Sequence, residues 1–136
     1  MSDQLAVSVA AARGHTVVVA LKGELDHRTV LLAKEALCGQ VDAGVHRLVV
    51  DLSGLWFIEL LVAHLLRDIQ TLLMARGGTM ALACPQRRVS RVLDLTGIDQ
   101  LIPVYDSVGG AARGQLRRQR GPRTVATPAS EADNGI

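Results

Sequence analysis

The chain has 136 residues, 49% of them hydrophobic, and a formal net charge of +2, which fits one domain able to bury a core of its own. Trp56, Phe57 and Tyr105 are its only aromatic residues, too few for the stacking platforms that hold single-stranded nucleic acid. Residues 1–110 carry ten Lys/Arg against eleven Asp/Glu, and residues 111–136 five Arg against two acids, so the basic excess belongs to the tail and gives no reason to expect direct nucleic-acid binding by the folded part.

In chain order, "QLAVSVAAARGHTVVVALKGELD" predicts a hairpin. Leu5, Val7 and Val9 alternate with smaller or polar residues, "ARGH" supplies the turn, and Thr16 to Leu21 forms a more buried second strand. Gly23 ends it. Asp26 is placed to cap a helix in which Val30, Ala33, Leu37 and Val41 recur at helical spacing. "HRLVVDL" (46–52) is β-branched and lacks polar alternation, the pattern of a central strand covered on both faces.

A helix from about Glu59 to Arg76 follows, ended by Gly77 and Gly78. At 100° per residue, Ile58, Val62, Leu65, Ile69 and Leu73 share a core face, flanked by Leu66, Leu61 and Leu72. Leu60 falls opposite, with His64, Arg67, Thr71, Ala63 and Met74. "TMALAC" (79–84) predicts a fourth strand, and Pro85 suits the first turn of a helix closing on Gly97. "QLIPVY" (100–105) predicts a last strand, which Pro103 places at an edge. "SVGGAAR" predicts one more helical turn. From Gly114 the periodicity is gone, and the Arg-rich stretch 114–136 is expected to be disordered beside a domain over 1–113. The order β-β-α-β-α-β-α-β implies parallel pairing through right-handed crossovers, with the first hairpin antiparallel.

The chemistry of enzymes is poorly represented. "KGELD" contains one glycine, so neither a P-loop nor a dinucleotide turn follows the second strand. His15, His27, His46 and His64 lack the paired spacing of a zinc site; no metal and no cofactor is expected. Asp26 and Glu59 stand at helix starts, where the dipole favours a carboxylate without any catalytic duty. Cys38 and Cys84 make no CxxC pair and no disulfide framework. Cys84 follows Met80 and Leu82 on a buried face, and Cys38 lies on its helix opposite Val30 and Leu37, exposed. Arg87, Arg88 and Arg91 open the third helix as a solvated face, with an anion-binding patch as the sharper alternative. No apolar segment approaches eighteen residues without charge and no leader pattern opens the chain, so a cytoplasmic protein without membrane insertion is expected.

Four stretches point further: "GELD" (23–26), "VVDLSGLWFI" (49–58), "ARGGTMALA" (75–83) and "VLDLTGIDQLIPVYDS" (92–107). In this order and spacing the chain, to about residue 113, resembles the STAS family, and within it the small bacterial anti-sigma factor antagonists. The resemblance implies an α/β fold, a mixed sheet with helices packed mainly on one face. In such proteins an "F-[IMV]-D-S-S-G" turn follows the DLSG strand. Its serine is phosphorylated by a GHKL-type, kinase-like anti-sigma factor. The unphosphorylated antagonist binds that partner, and the added phosphate breaks the complex by charge and desolvation.

Aligned on "FI", Glu59 takes the aspartate's place, Leu60 and Leu61 those of the two serines, and Val62 that of the glycine. Neither leucine can accept a phosphate; Ser53 reads as structural, with a substitute phosphorylation site as the alternative. The resemblance therefore implies a non-catalytic protein-binding module, anti-sigma factor antagonist-like, without phosphorylation at the usual position. The partner-binding surface is expected on Asp26 and His27 after the second strand, and on Glu59, Leu60, Leu61, His64 and Arg67 at the start of the second long helix. The alternative is a STAS subunit of a larger assembly, such as a lipid-transport ABC complex or a sensory scaffold. A nucleotide sensor finds no phosphate loop here.

Overall fold

A computed structural model describes residues 4–114; of the stretch 114–136 expected to be disordered, all but Gly114 lies outside them. Strands β1 (Leu5–Ala11) and β2 (Thr16–Leu25) form the antiparallel hairpin. Then come α1 (Val30–Asp42), β3 (Arg47–Ile58), α2 (His64–Ala75), β4 (Thr79–Ala83), α3 (Arg87–Thr96), the one-turn α4 (Ile98–Leu101), β5 (Val104–Tyr105) and α5 (Val108–Arg113). The sheet order is β1-β2-β3-β4-β5, and every pair after the first is parallel.

That sequential order dictates the layering. Each parallel crossover moves one strand in the same direction, and crossovers share one hand, so their helices land on the same face. Ala33, Leu37 and Val41 of α1, Leu66, Ile69 and Leu73 of α2, and Val89 and Leu93 of α3 are all buried there. They pack on Val19, Leu21, Leu48, Val50, Leu52, Met80 and Leu82, the alternate residues of β2, β3 and β4. The other face has a small cluster of its own, where Val49, Ala81, Ala83 and Tyr105 meet Ala111 of α5.

Arg47 fastens α5 to that reverse face. Its Nε donates to the Ala111 carbonyl at 2.7 Å, and its terminal nitrogens reach the Thr79 hydroxyl (3.0 Å) and the Tyr105 hydroxyl (3.3 Å). The guanidinium also lies 5.9 Å from the Tyr105 ring centroid.

Several elements differ from the sequence expectation. The third strand runs to Ile58 rather than Leu52, because β2 accompanies it to a final Leu25↔Ile58 pair. The second long helix starts at His64, not Glu59: Val62 and Ala63 donate to the Glu59 carbonyl, and these turns occupy 59–63. Leu61 and Leu72, expected beside the core face, are 75% and 48% exposed, while Ala63, expected outside, is buried. The turn over 59–63 takes Leu61 and Ala63 out of the phase that the 100° projection assumed, whereas Leu65, Ile69 and Leu73 keep it and Leu72 lies on its flank.

The strand expected over 100–105 shrinks to β5, since 98–101 is helical; its edge position holds. Pro85 stands outside α3, which begins at Arg87 after the N-cap Gln86. Cys84 follows β4 at φ 57° with its thiol on the Asp106 carbonyl at 3.2 Å, half-buried rather than in the core. Burial and the charges of Asp51 and Asp106 push that thiol up from its ordinary pKa, which disfavours a reactive thiolate. Cys38 is half-buried against the main core, not exposed.

Candidate functional site

Parallel β2 and β3 end side by side, so the loops leaving them meet at one end of the sheet. Gly23 shapes this end. At φ 114° it takes a conformation disfavoured for other residues, and a Cβ would run into the Gln4 carbonyl. The ladder is irregular between Gly23 and Glu24, which re-aims the rest of "GELD".

In the loop after β2, Asp26 grips its own backbone. Its Oδ1 accepts from the N–H of Arg28 (2.9 Å) and of Thr29 (3.2 Å), and its N–H donates to Thr29 Oγ1 (3.0 Å). Arg28 Nη2 adds an ion pair at 3.2 Å. Burial pushes the carboxyl's pKa up, but the Arg28 and Thr29 N–H groups and the guanidinium outweigh it and hold it below the ordinary value. Asp26 is not the helix N-cap that the sequence suggested: a turn is interposed, α1 begins at Val30 with Thr29 as its N-cap, and Asp26 holds the turn ahead of it.

Glu59 does not cap its own helix. Its N–H donates to the Leu25 carbonyl (2.9 Å), and its Oε1 accepts from the N–H of His27 (2.9 Å), with His27 Nδ1 at 3.3 Å. One carboxylate thus ties the two loops across 32 positions of sequence. The N-terminus of α2 carries no side-chain cap and no acidic residue in its first turn.

On this frame stand Leu60, 48% exposed, and Leu61, 75% exposed. His64 is half-buried, with no hydrogen-bond partner for Nδ1, and Arg67 is exposed. The structure thus brings His27 and Glu59 into direct contact, with Asp26 holding the His27 loop from within, and sets Leu60 and Leu61 on the adjoining turn, with His64 and Arg67 beginning the helix behind it. Asp26 is 6% exposed, so it holds the loop rather than presenting a carboxylate.

The sequence reading missed a second apolar contribution, from α1. Leu31 and Leu32 are exposed, and an open groove of about 710 Å³ runs between α1 and α2, lined by Leu31, Cys38, Leu61, His64 and Leu72 among others. A signal for it exists in "VLLA" (30–33): four consecutive apolar residues wrap a whole helical turn, so at least one must face away from the core.

Chemically the site is sparse. Positions 60 and 61 have no hydroxyl, the Thr29 hydroxyl is buried in hydrogen bonds, and among the described residues no group of three His, Cys, Asp or Glu could hold a metal ion. Among them too, no helix is long and apolar enough to cross a membrane. Apolar side chains on a frame of fixed loops are suited to burial against another surface.

Comparison with known proteins gives a consistent set. A profile of the STAS domain matches residues 8–111. The anti-sigma F factor antagonist of Paenibacillus polymyxa is 29% identical over 96 residues, covering 67% of this chain and 79% of that protein. The crystal structure of an anti-sigma factor antagonist from Mycobacterium paratuberculosis shares the fold at a TM-score of 0.75 and 24% identity, covering 82% of this chain and 93% of that one. The antagonist SpoIIAA matches in its unphosphorylated form (TM-score 0.68, 22% identity, 82% of this chain and 100% of that one). The Bacillus SpoIIAA structure in the phosphorylated form matches as well (TM-score 0.63, 21% identity, 81% and 100%).

Proposed function

The chain belongs to the STAS family, and from that premise we propose that it is a non-catalytic protein-binding module of the anti-sigma factor antagonist kind, working without phosphorylation at the usual position. The observation that carries this reading is the exposed pair Leu60–Leu61, held on a turn tied to the neighbouring loop by the Glu59–His27 bonds. Polar and charged side chains, His27 and Glu59, stand beside an apolar centre, and Arg67 is exposed on the helix that follows. That is the anatomy of a protein interface, where the centre gives up water and the rim sets orientation.

The partner is an anti-sigma factor of the kinase-like GHKL class, met in the cytoplasm, and the relatives named as antagonists favour it over a transporter subunit. A leucine at the turn removes the device by which phosphate would end the complex. Control then falls to the amounts of the two proteins. Affinity capture with wild type and a Leu60→Gln/Leu61→Gln variant, followed by mass spectrometry, tests the reading. Wild type should retain a kinase-like protein that the variant loses, and intact mass after incubation with that protein and ATP should show no phosphate on the chain. Equal capture by both forms, or retention of transporter subunits alone, would refute it.

A further inference from the structure

A second surface lies on β3 and α3, built from residues the leucine turn does not use. β3 outruns β4: their last pair is Asp51↔Ala83, while β3 continues to Ile58 on β2 alone. The start of α3 covers part of this vacated edge, and Gln86 Nε2 fastens it by donating to the Ser53 carbonyl at 2.7 Å. Between the two elements opens a cleft of about 500 Å³ lined by Trp56, Gln86, Arg87, Arg88 and Arg91.

The arginines are out of place by every local criterion. They stand in the first five positions of α3, where the helix dipole disfavours cations, and no acidic residue shares that first turn. Arg87 and Arg91 are four apart and Arg88 and Arg91 three apart, so like charges share one helix face. None of the three has an ion pair or hydrogen bond among the described residues. Yet three of the ten Lys/Arg of residues 1–110 gather here, in a segment whose net charge is −1. A cluster that opposes the dipole, repels itself and lacks intramolecular partners is one that an anion from outside would stabilise.

We propose that this cleft docks an acidic segment of a protein partner, its carboxylates pairing with Arg87, Arg88 and Arg91 and an apolar neighbour resting on Trp56, which is 47% exposed. A nucleic-acid strand fits less well: the patch is one helical turn long, holds one aromatic ring, and belongs to a segment of net negative charge. The proposal rests on the reading of the chain as a protein-binding module but uses a different surface.

Trp56 is the single tryptophan and reports on the cleft directly. Titration of the full chain with a short poly-glutamate peptide should change its fluorescence saturably, and added salt should weaken the response. Replacing all three arginines by glutamine should weaken binding by about tenfold or more and leave the thermal unfolding midpoint unchanged or higher. The Leu60→Gln/Leu61→Gln variant should bind the peptide as wild type does, which separates failure here from failure of the leucine surface. A flat titration, an unaffected triple variant, or tighter response to ATP, inorganic phosphate or an oligonucleotide than to the peptide would overturn the proposal.

Discussion

Replacing Arg47 by methionine keeps the aliphatic stem and deletes the guanidinium that holds α5. Three hydrogen bonds are lost, to the Ala111 carbonyl at 2.7 Å and to the Thr79 and Tyr105 hydroxyls at 3.0 and 3.3 Å. The first dominates, because Ala111 is fully buried and, among the described residues, its carbonyl otherwise accepts only from the Gly114 N–H at 3.3 Å. A hydrogen bond from a charged donor to a buried carbonyl contributes about 1.5–3 kcal/mol, and the two longer ones to hydroxyls about 0.5 each. The expected destabilisation is about 2.5–4 kcal/mol, or roughly 10–20 °C in Tm for a domain of this size. Urea unfolding followed by circular dichroism measures it. Amide exchange in α5 should accelerate in the same variant, since α5 covers the reverse face largely alone. Arg13, exposed in the hairpin turn, serves as control, and its methionine variant should stay within about 0.5 kcal/mol of wild type. An Arg47→Met loss no larger than that control would refute the view of Arg47 as the clasp.

Leu60→Gln/Leu61→Gln should leave unfolding stability nearly unchanged, both leucines being largely exposed. It should weaken partner binding by about 2–4 kcal/mol, the burial value of a leucine scaled by each exposure, or about 30- to 900-fold in Kd by calorimetry. Gly23→Ala should cost about 2–4 kcal/mol in urea unfolding, because φ 114° is strained for alanine and the Gln4 carbonyl blocks the new methyl; a near-neutral change would deny the close approach of these backbones. The Asp26 carboxyl has a depressed pKa in the folded chain, so its contribution is present above the unfolded value of about 3.9 and is lost as pH falls through the folded one. Asp26→Asn should therefore be less stable at neutral pH and show a flatter loss of stability below about pH 4. Parallel wild-type and variant profiles in that range would contradict this.

Periodicity and turn residues determined most of the architecture. Alternation in "LAVSV", the β-branched "LVV", the Gly77–Gly78 stop and the Pro103 edge signal depend on neighbours within one element, so they are legible in a linear chain. The two leucines at the serine positions are legible for the same reason, as a matter of residue identity. What needed the tertiary structure was everything set by pairing across distance. Glu59 looks like a helix cap because its sequence neighbours are helical; it becomes a tie to His27 only because parallel β2 and β3 end together. The turn over 59–63 puts Leu61 in solvent and Ala63 in the core, reversing a projection that assumed an unbroken helix. Trp56 and the α3 arginines stand more than thirty positions apart and meet because β3 outruns β4. Local propensity carries information about a few residues at a time, whereas which side chains share a surface is decided by strand register and helix phase, which the whole packed sheet sets.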